Sequence, residues 1–249
     1  MAGLLDGDTA LVTGAASGIG RGIARVLSRE GARLFLTDVL ADAGRAIAKE
    51  TGAQFKAADL TQADAVQDVF DSAIAALGRI SVFVHCAAPP RREDQTAMAV
   101  SAKQWRDMLS ITLDAGFLLG QAVGRHMRDA QIRGRMLYLT SLHAETPRNL
   151  PHYSAAKAGQ TMLVKEFARA LGPLGIRVNA IAPGAIPGGG FAANVPALEA
   201  KIPLGRTGTP DDIAAMAVAL LSDRFSAYVT GTTVVVDGGL ALHNWIDPA

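Results

Sequence analysis

The stretch Thr13-Gly14-Ala15-Ala16-Ser17-Gly18-Ile19-Gly20 follows a short apolar run, residues 10–13, and opens a helical pattern, residues 20–30. Glycines between a strand and a helix permit a tight turn and let the backbone approach a pyrophosphate closely. The helix N-terminus adds free N–H groups and a partial positive charge. The spacing differs from the common Gly-x-Gly-x-x-Gly, and the alternative is a turn needed only for packing. We expect a dinucleotide to contact Gly14, Ser17, Gly18, Ile19 and Gly20.

Along the whole chain, short β-rich runs alternate with longer helical patterns. The predicted strands are residues 10–13, 33–37, 54–57, 81–85, 135–140, 177–181 and 232–236. The helical patterns include residues 20–30, 63–77, 101–127, 151–171 and 211–221. Such alternation predicts an α/β fold in which a parallel sheet of seven strands has helices on both faces. We expect a single domain over residues 1–249.

Composition limits the classes of function. The chain has 249 residues, 49% hydrophobic, with 24 basic and 23 acidic side chains and a formal net charge of +1. This balance gives no electrostatic reason to expect nucleic acid or a membrane surface as a partner. Cys86 is the only cysteine, which excludes an intrachain disulfide and fits a reducing compartment. With no signal peptide in residues 1–8, no spanning apolar run and no metal motif, we expect a cytoplasmic protein.

Two aspartates follow predicted strands. Asp38 closes the second strand, where an acidic residue accepts hydrogen bonds from ribose hydroxyls and repels a 2′-phosphate. This position favours NAD over NADP, although a turn or helix-cap aspartate is the alternative. Asp59 and Leu60 follow the third strand and are expected beside the adenine, with helix capping again the alternative.

Tyr153-Ser-Ala-Ala-Lys157 lies in the helical pattern of residues 151–171. Positions i and i+4 share one helix face, so the phenol and the ammonium can meet. A fixed cation beside a phenol favours the phenolate, and such a phenol can give or take a proton near neutral pH. Because this spacing also arises by chance on exposed helices, a catalytic role depends on the other motifs.

Residues 183–205 are irregular and rich in proline and glycine. A loop of this length inside a compact domain is usually a functional lid or is partly disordered. We expect a substrate lid over about residues 184–205.

Together these motifs resemble the short-chain dehydrogenase/reductase family over essentially the whole chain. The glycine turn matches the family's cofactor motif, and Tyr153-x3-Lys157 matches its active-site motif. Further matches are Asn179-Ala-Ile-Ala-Pro183-Gly184, expected after the sixth strand, Arg206-x-Gly208-x-Pro210-x-Asp212-Ile213-Ala214, and Thr230-Gly231-x5-Asp237-Gly238-Gly239.

The resemblance implies a Rossmann-type doubly wound domain and a hydride transfer between a nicotinamide and a carbinol carbon. Tyr153 would be the general acid and base, and Lys157 would favour its ionised form and hold the nicotinamide ribose. Ser141 would hydrogen-bond the substrate oxygen, with Thr140 as the competing hydroxyl. Other contacts with the cofactor are implied for His85, Ala87, Pro183, Gly184 and Ile186.

Three departures from the family's pattern are visible. His85-Cys86-Ala87-Ala88 replaces Asn-Asn-Ala-Gly, and a ring nitrogen of His85 could tie neighbouring strands as a buried structural group. Thr112 replaces an asparagine that helps to hold a relay water behind the lysine, and its hydroxyl could do part of that work. Gly188 replaces a threonine that contacts the carboxamide, so backbone groups of Ile186 would have to substitute.

The segments Ser141-Leu-His143, His152-Tyr153 and Pro183-Gly-Ala-Ile186 look most like glucose 1-dehydrogenase-like members, which suggests a sugar or polyol substrate. His143 would either bind a polar substrate or cap its loop. A further set of charged residues would either line the pocket or form a solvated surface: Arg91, Arg92, Glu93 and Arg148.

The resemblance also implies a homotetramer built from helices near residues 101–127 and 151–171 and from the last strand. Two other functions stay open: an NAD-binding sensor or scaffold with impaired catalysis, and a 3-oxoacyl- or steroid-type carbonyl reductase. The departures at His85 and Thr112 motivate the first.

Overall fold

The computed structural model describes residues 3–92, 94–187 and 198–242. The strands are β1 Thr9–Thr13, β2 Arg33–Asp38, β3 Gln54–Ala57, β4 Val82–His85, β5 Arg135–Leu139, β6 Arg177–Pro183 and β7 Thr233–Val236. The helices are α1 Gly18–Arg29, α2 Ala41–Thr51, α3 Ala63–Leu77, α4 Ala102–Leu109, α5 Ala115–Asp129, α6 Pro151–Leu171, α7 Pro210–Leu221 and α8 Asp223–Ser226.

The strands form one parallel sheet in the order β3-β2-β1-β4-β5-β6-β7. The order reverses at β1, where Thr13 lies opposite Thr37 of β2 on one side and His85 of β4 on the other. The expected α/β fold with a seven-stranded parallel sheet is therefore confirmed. Residues that follow β1, β2, β4, β5 and β6 gather at the same carboxyl edge.

Helices cover both faces of the sheet, which explains the apolar strands. On one face, buried side chains of α1 and α7 such as Ile23 and Ile213 pack on β1 and β4. On the other face, Val69 of α3, Leu119 of α5 and Val164 of α6 pack on the same strands. Strands covered on both faces are buried along their whole length and mostly apolar, as β1 and β4 are.

The segment predicted as one helix over residues 101–127 is divided. α4 and α5 are joined by a π-helical turn, Ser110–Asp114, in which the amide of Ala115 donates to the carbonyl of Ser110, five residues back. A π turn inserts one extra residue into a helix and is frequent at functional sites.

Two boundaries differ from expectation near the predicted lid. β6 extends through Pro183, so the Asn179–Gly184 motif lies largely within this strand rather than after it. The extension follows from pairing with β7, since Pro183 lies opposite Val236. Gly188 and residues 189–197 of the predicted lid, with Glu93, lie outside the described residues.

The amino edge of the sheet holds a buried ion pair. Arg135 at the start of β5 donates to both carboxylate oxygens of Asp8, at 2.6 and 3.2 Å, and to the carbonyl of Leu221 at 2.7 Å. Ser81 donates to the same carboxylate at 2.8 Å. The ends of β1, β5 and α7 are thereby joined.

Within the described residues, no helix is both long enough and apolar enough to cross a membrane.

Candidate active site

A cavity of about 980 Å³ runs along the carboxyl edge of the sheet. It begins beside the glycine turn, passes the reversal point between β1 and β4, and reaches Tyr153 and Lys157. Open α/β sheets bind ligands at such a reversal of strand order. Most of the residues singled out from the sequence therefore share one cavity. Gly20 and His85, which were also expected to contact the cofactor, are buried and do not line it.

The glycine turn is shaped by close backbone contacts. Gly14 has φ of +65°, and a Cβ there would lie 2.7 Å from the amide nitrogen of Ala87. A Cβ at Gly20 would collide with the carbonyl of Gly14. Both positions require glycine, and Gly14, Ser17, Gly18 and Ile19 line the cavity at the start of α1.

Asp38 lies at the same end of the cavity. One of its carboxylate oxygens accepts from the amide of Ala16 at 2.9 Å, and the other accepts from the amide of Leu40 at 3.0 Å. These bonds fix the carboxylate between β2 and the glycine turn. Asp59 and Leu60 line the cavity beside it, and Asp59 also accepts from Thr61, in keeping with the alternative of a local cap.

Lys157 is a buried cation at the other end. Its Nζ donates to the carbonyl of Leu139 at 2.6 Å and to Oε1 of Gln160 at 3.0 Å. Burial lowers the pKa of this ammonium, and the opposing influence of Tyr153 is smaller. Nζ lies 5.7 Å from the centre of the Tyr153 ring. The two side chains therefore lie on the same face of α6, as their spacing predicts.

Gln160 was missed by the sequence analysis. Its Nε2 donates to the carbonyl of Thr112 at 2.8 Å while its Oε1 accepts from Lys157. The hydroxyl of Thr112 donates a hydrogen bond to Sδ of Met108 at 3.5 Å. The Thr112 hydroxyl, which the sequence left as a possible group behind Lys157, makes no hydrogen bond with the lysine, and the side chain that does is that of Gln160. The position of Gln160, three residues after Lys157 on α6, was the available signal.

His85 is a buried structural group. Amides of Cys86 and Ala87 donate to Oγ1 of Thr13, so the threonine hydroxyl donates to Nδ1 of His85 at 3.0 Å. Nε2 then carries the ring proton and donates to the carbonyl of Thr112 at 3.1 Å. Burial lowers the pKa of His85 to about 3, helped by the charge of Lys157. As expected, a ring nitrogen ties neighbouring strands.

The two candidate hydroxyls are used differently. Thr140 donates to the carbonyl of Ile181 at 2.9 Å, so its proton is committed to β6. Ser141 accepts from the amide of His143 at 3.2 Å, which leaves its own proton available to a group in the cavity. This arrangement favours Ser141, as the sequence did.

Basic side chains surround the Tyr153 end. The guanidinium carbon of Arg91 lies 4.4 Å from the centre of the Tyr153 ring. Arg148 and His143 also line the cavity, and Nδ1 of His143 donates to the carbonyl of Thr146 at 3.1 Å. Arg92 instead pairs with Asp94 at 2.7 Å on the exposed loop. The pocket alternative thus holds for Arg91 and Arg148, and the surface alternative for Arg92.

The donor set fits a dinucleotide. Amides at the start of α1 can meet a pyrophosphate, the carboxylate of Asp38 can accept from ribose hydroxyls, and Lys157 can donate to a second ribose. The remaining predicted contacts also line the cavity: Ala87, Pro183, Gly184 and Ile186.

Comparison with known proteins agrees with this arrangement. A family model described as enoyl-(acyl carrier protein) reductase matches residues 14–241. D-threitol dehydrogenase of Mycolicibacterium smegmatis is 37% identical, covering 96% of this chain and 94% of the relative. Glucose 1-dehydrogenase 2 of Bacillus subtilis is 31% identical, covering 96% of each.

Solved structures are also similar. A short-chain type dehydrogenase/reductase from Mycobacterium marinum has a TM-score of 0.87 and 32% identity, covering 95% of this chain and 96% of that one. A 3-ketoacyl-(acyl-carrier-protein) reductase from Brucella melitensis complexed with NADH has a TM-score of 0.89 and 28% identity, covering 95% and 99%. The family's enzymes are oxidoreductases that use a nicotinamide cofactor. This chain belongs to the short-chain dehydrogenase/reductase family.

Proposed function

We propose that this protein is an NAD-dependent dehydrogenase that interconverts a secondary alcohol and the corresponding ketone. The observation that carries the proposal is the convergence of Ser141, Tyr153 and Lys157 in the cavity that also holds Asp38. The whole chain, residues 1–249, acts as one dinucleotide-binding domain in this proposal.

Tyr153 is the proposed general base for alcohol oxidation and the general acid for ketone reduction. Ser141 donates a hydrogen bond to the substrate oxygen, where negative charge develops in the transition state. Lys157 stabilises the ionised phenol through its charge, since no acidic side chain of the described residues pairs with it. Pairing with a carboxylate would weaken that field.

A nicotinamide, when bound, would supply the redox chemistry by exchanging a hydride, one proton with two electrons, with the carbinol carbon. The chain's own groups bind and orient it. The start of α1 holds the pyrophosphate, and Asp38 holds the adenosine ribose. Because Asp38 would repel a 2′-phosphate, NAD is preferred to NADP.

A sugar or polyol is the proposed substrate, supported by the similarity to the threitol and glucose dehydrogenases. A 3-oxoacyl- or steroid-type carbonyl reductase is the second candidate. Its support is the apolar part of the lining, which would suit a larger apolar substrate: Pro89, Pro90, Leu142, Ile186, Leu198 and Leu240.

A substrate screen tests both candidates. Polyols, sugars and secondary alcohols are supplied with NAD and with NADP, and absorbance of the reduced cofactor is followed. In the reverse direction, 3-oxoacyl thioesters and ketosteroids are supplied with the reduced cofactors. Polyol or sugar oxidation with NAD supports the first candidate, and reduction of apolar ketones alone supports the second. Cofactor binding with no turnover on any substrate would favour the sensor or scaffold.

We also propose a cytoplasmic homotetramer. Exposed apolar side chains lie on the helices expected at the interfaces, including Trp105, Phe117 and Met162, and Val235 lies on the edge strand β7. Light scattering should give four times the 25.9 kDa chain mass. A monodisperse monomer would contradict the assembly without affecting the proposed chemistry.

A further inference from the structure

The contacts behind Lys157 form a continuous chain of hydrogen bonds. Nζ of Lys157 donates to Oε1 of Gln160, and Nε2 of Gln160 donates to the carbonyl of Thr112. All three residues are buried, with relative exposures of 3%, 0% and 0%. The carbonyl of Thr112 also accepts from His85.

The chemistry at both ends fixes which way the Gln160 amide points. A carbonyl can only accept a hydrogen bond and an ammonium can only donate one, so the NH₂ group must face Thr112 and the oxygen must face Lys157. The carbonyl of Thr112 uses both lone pairs on side-chain donors, an arrangement that the π turn of residues 110–114 accommodates.

We propose that Gln160 is a positioning residue that holds the Lys157 ammonium toward Tyr153 and closes the site behind the lysine to water. An amide oxygen favours the charged lysine, because it accepts a stronger hydrogen bond from an ammonium than from a neutral amine. An amide does not pass a proton onward as water or a hydroxyl does.

Other titratable groups facing Lys157 do not substitute for this role. They are Tyr153 on α6, His85 on β4, and Cys86 and Arg91 after β4. Burial keeps His85 neutral and raises the pKa of the Cys86 thiol to about 11, so neither is charged near pH 7. Arg91 is a constant cation that disfavours a second positive charge. Gln160 supplies the side-chain acceptor that favours the ammonium.

The first test follows the titration of Lys157 in the cofactor-free protein. The ¹³Cε signals of labelled lysine are recorded against pH by NMR, and Lys157→Arg assigns the signal. Gln160→Met keeps the side-chain length but removes the acceptor, so it should lower the pKa of Lys157. Gln160→Glu adds a negative charge and should raise it. Shifts of about one unit in opposite directions are expected.

The paired design separates positioning from packing. Gln67→Met, on the exposed face of α3, serves as a control and should leave the Lys157 signal unchanged. If Gln160→Met and Gln160→Glu shift the titration in the same direction, or not at all, the assignment is overturned. Circular dichroism shows whether each variant is folded. Because no turnover is needed, failure here is distinct from failure of the proposed dehydrogenase function.

The second test asks whether Gln160 excludes water from the space behind Lys157. Exchange of the Lys157 ammonium protons with water is measured by ¹⁵N NMR in the same protein. Gln160→Ala leaves room for water behind the lysine and should accelerate exchange at least tenfold, whereas Gln160→Met should not. If the Lys157 ammonium exchanges equally fast in both variants and in the unaltered chain, Gln160 does not exclude water from the space behind the lysine.

Discussion

Each end of the sheet holds a buried basic side chain, and the two are compensated differently. At the amino edge, Arg135 makes two hydrogen bonds to the carboxylate of Asp8. At the carboxyl edge, Lys157 meets only neutral acceptors among the described residues, the carbonyl of Leu139 and the amide of Gln160. The charge of Arg135 is neutralised by a carboxylate within the fold. The charge of Lys157 is not, so its electrostatic potential extends into the cavity.

The difference explains why the two edges have different roles. Burial of a charge without an opposite charge costs free energy, and a fold retains it only where other interactions compensate. At the carboxyl edge, the charge of Lys157 lies beside the cavity and the Tyr153 ring. The predictions below test whether the amino edge serves stability and the carboxyl edge serves chemistry.

Loss of the Tyr153 hydroxyl should have the largest effect. Tyr153→Phe is expected to lower kcat by about 10²–10⁴-fold or more, because general acid–base catalysis is lost. NAD affinity and thermal stability should change little. Tyr228→Phe is the matched control, since Tyr228 is fully exposed. Turnover that survives in the Tyr153 variant would contradict the assigned role.

Stability should respond oppositely at the two edges. Asp8→Ala removes both hydrogen bonds between Arg135 and a carboxylate and leaves only the longer 4.0 Å contact with Asp223, so the free energy of unfolding should fall by about 3 kcal/mol. Lys157→Met removes an uncompensated buried cation and should leave stability unchanged or raised, while turnover is lost. Urea unfolding measures both. If the two variants lower the free energy of unfolding equally, the two buried charges contribute to stability in the same way and the proposed difference between the edges is wrong.

His85 should make stability depend on pH. Its folded pKa of about 3 lies below the unfolded value of 6.5, so the stabilising effect is present above pH 6.5 and is lost as pH falls toward 3. Between these values the slope is about 1.4 kcal/mol per pH unit. His85→Asn should flatten that part of the profile in urea unfolding. Parallel profiles would show that His85 is not held neutral.

Asp38 should control the choice of cofactor. Asp38→Ser removes the repulsion of a 2′-phosphate, and the ratio of kcat/KM for NADP to that for NAD should rise about tenfold or more. Asp42→Ser is the control, because this exposed aspartate pairs with Arg45 outside the cavity. An unchanged ratio would show that Asp38 stabilises the turn and does not select the cofactor.

Arg91 should give the smallest effect. The stacked guanidinium contributes about 0.5–1 kcal/mol at a partly exposed site, so Arg91→Gln should change kcat/KM by about two- to fivefold. Arg92→Gln should have no effect, because Arg92 pairs with Asp94 outside the cavity. If Arg91→Gln and Arg92→Gln have identical kinetics, Arg91 does not contribute to the active site.

Local patterns predicted the fold and most of the candidate site. Helix α6 begins and ends where its sequence pattern indicated, and Tyr153 and Lys157 share a face because their spacing is local. The parallel sheet of seven strands followed from the alternation of strands and helices, whereas its strand order was not predicted. These features depend on short-range periodicity, which a single sequence displays.

What could not be predicted depends on tertiary contact. Gln160 lies 48 residues from Thr112, and only the folded chain brings its amide to that carbonyl. The sequence analysis considered only the side chain of Thr112, whereas its backbone carbonyl accepts the hydrogen bond. The π turn had no compositional signal, because residues 110–114 fit an ordinary helix.

The extra residue in this π turn rotates α5 by about 100° relative to a continuous α-helix. Deletion of one residue from 110–114 would restore a regular helix whose backbone amides compete for the carbonyl now shared by His85 and Gln160. The segment is therefore sensitive to length more than to composition. A homologous chain one residue shorter here would need another way to hold its lysine, even with every motif intact.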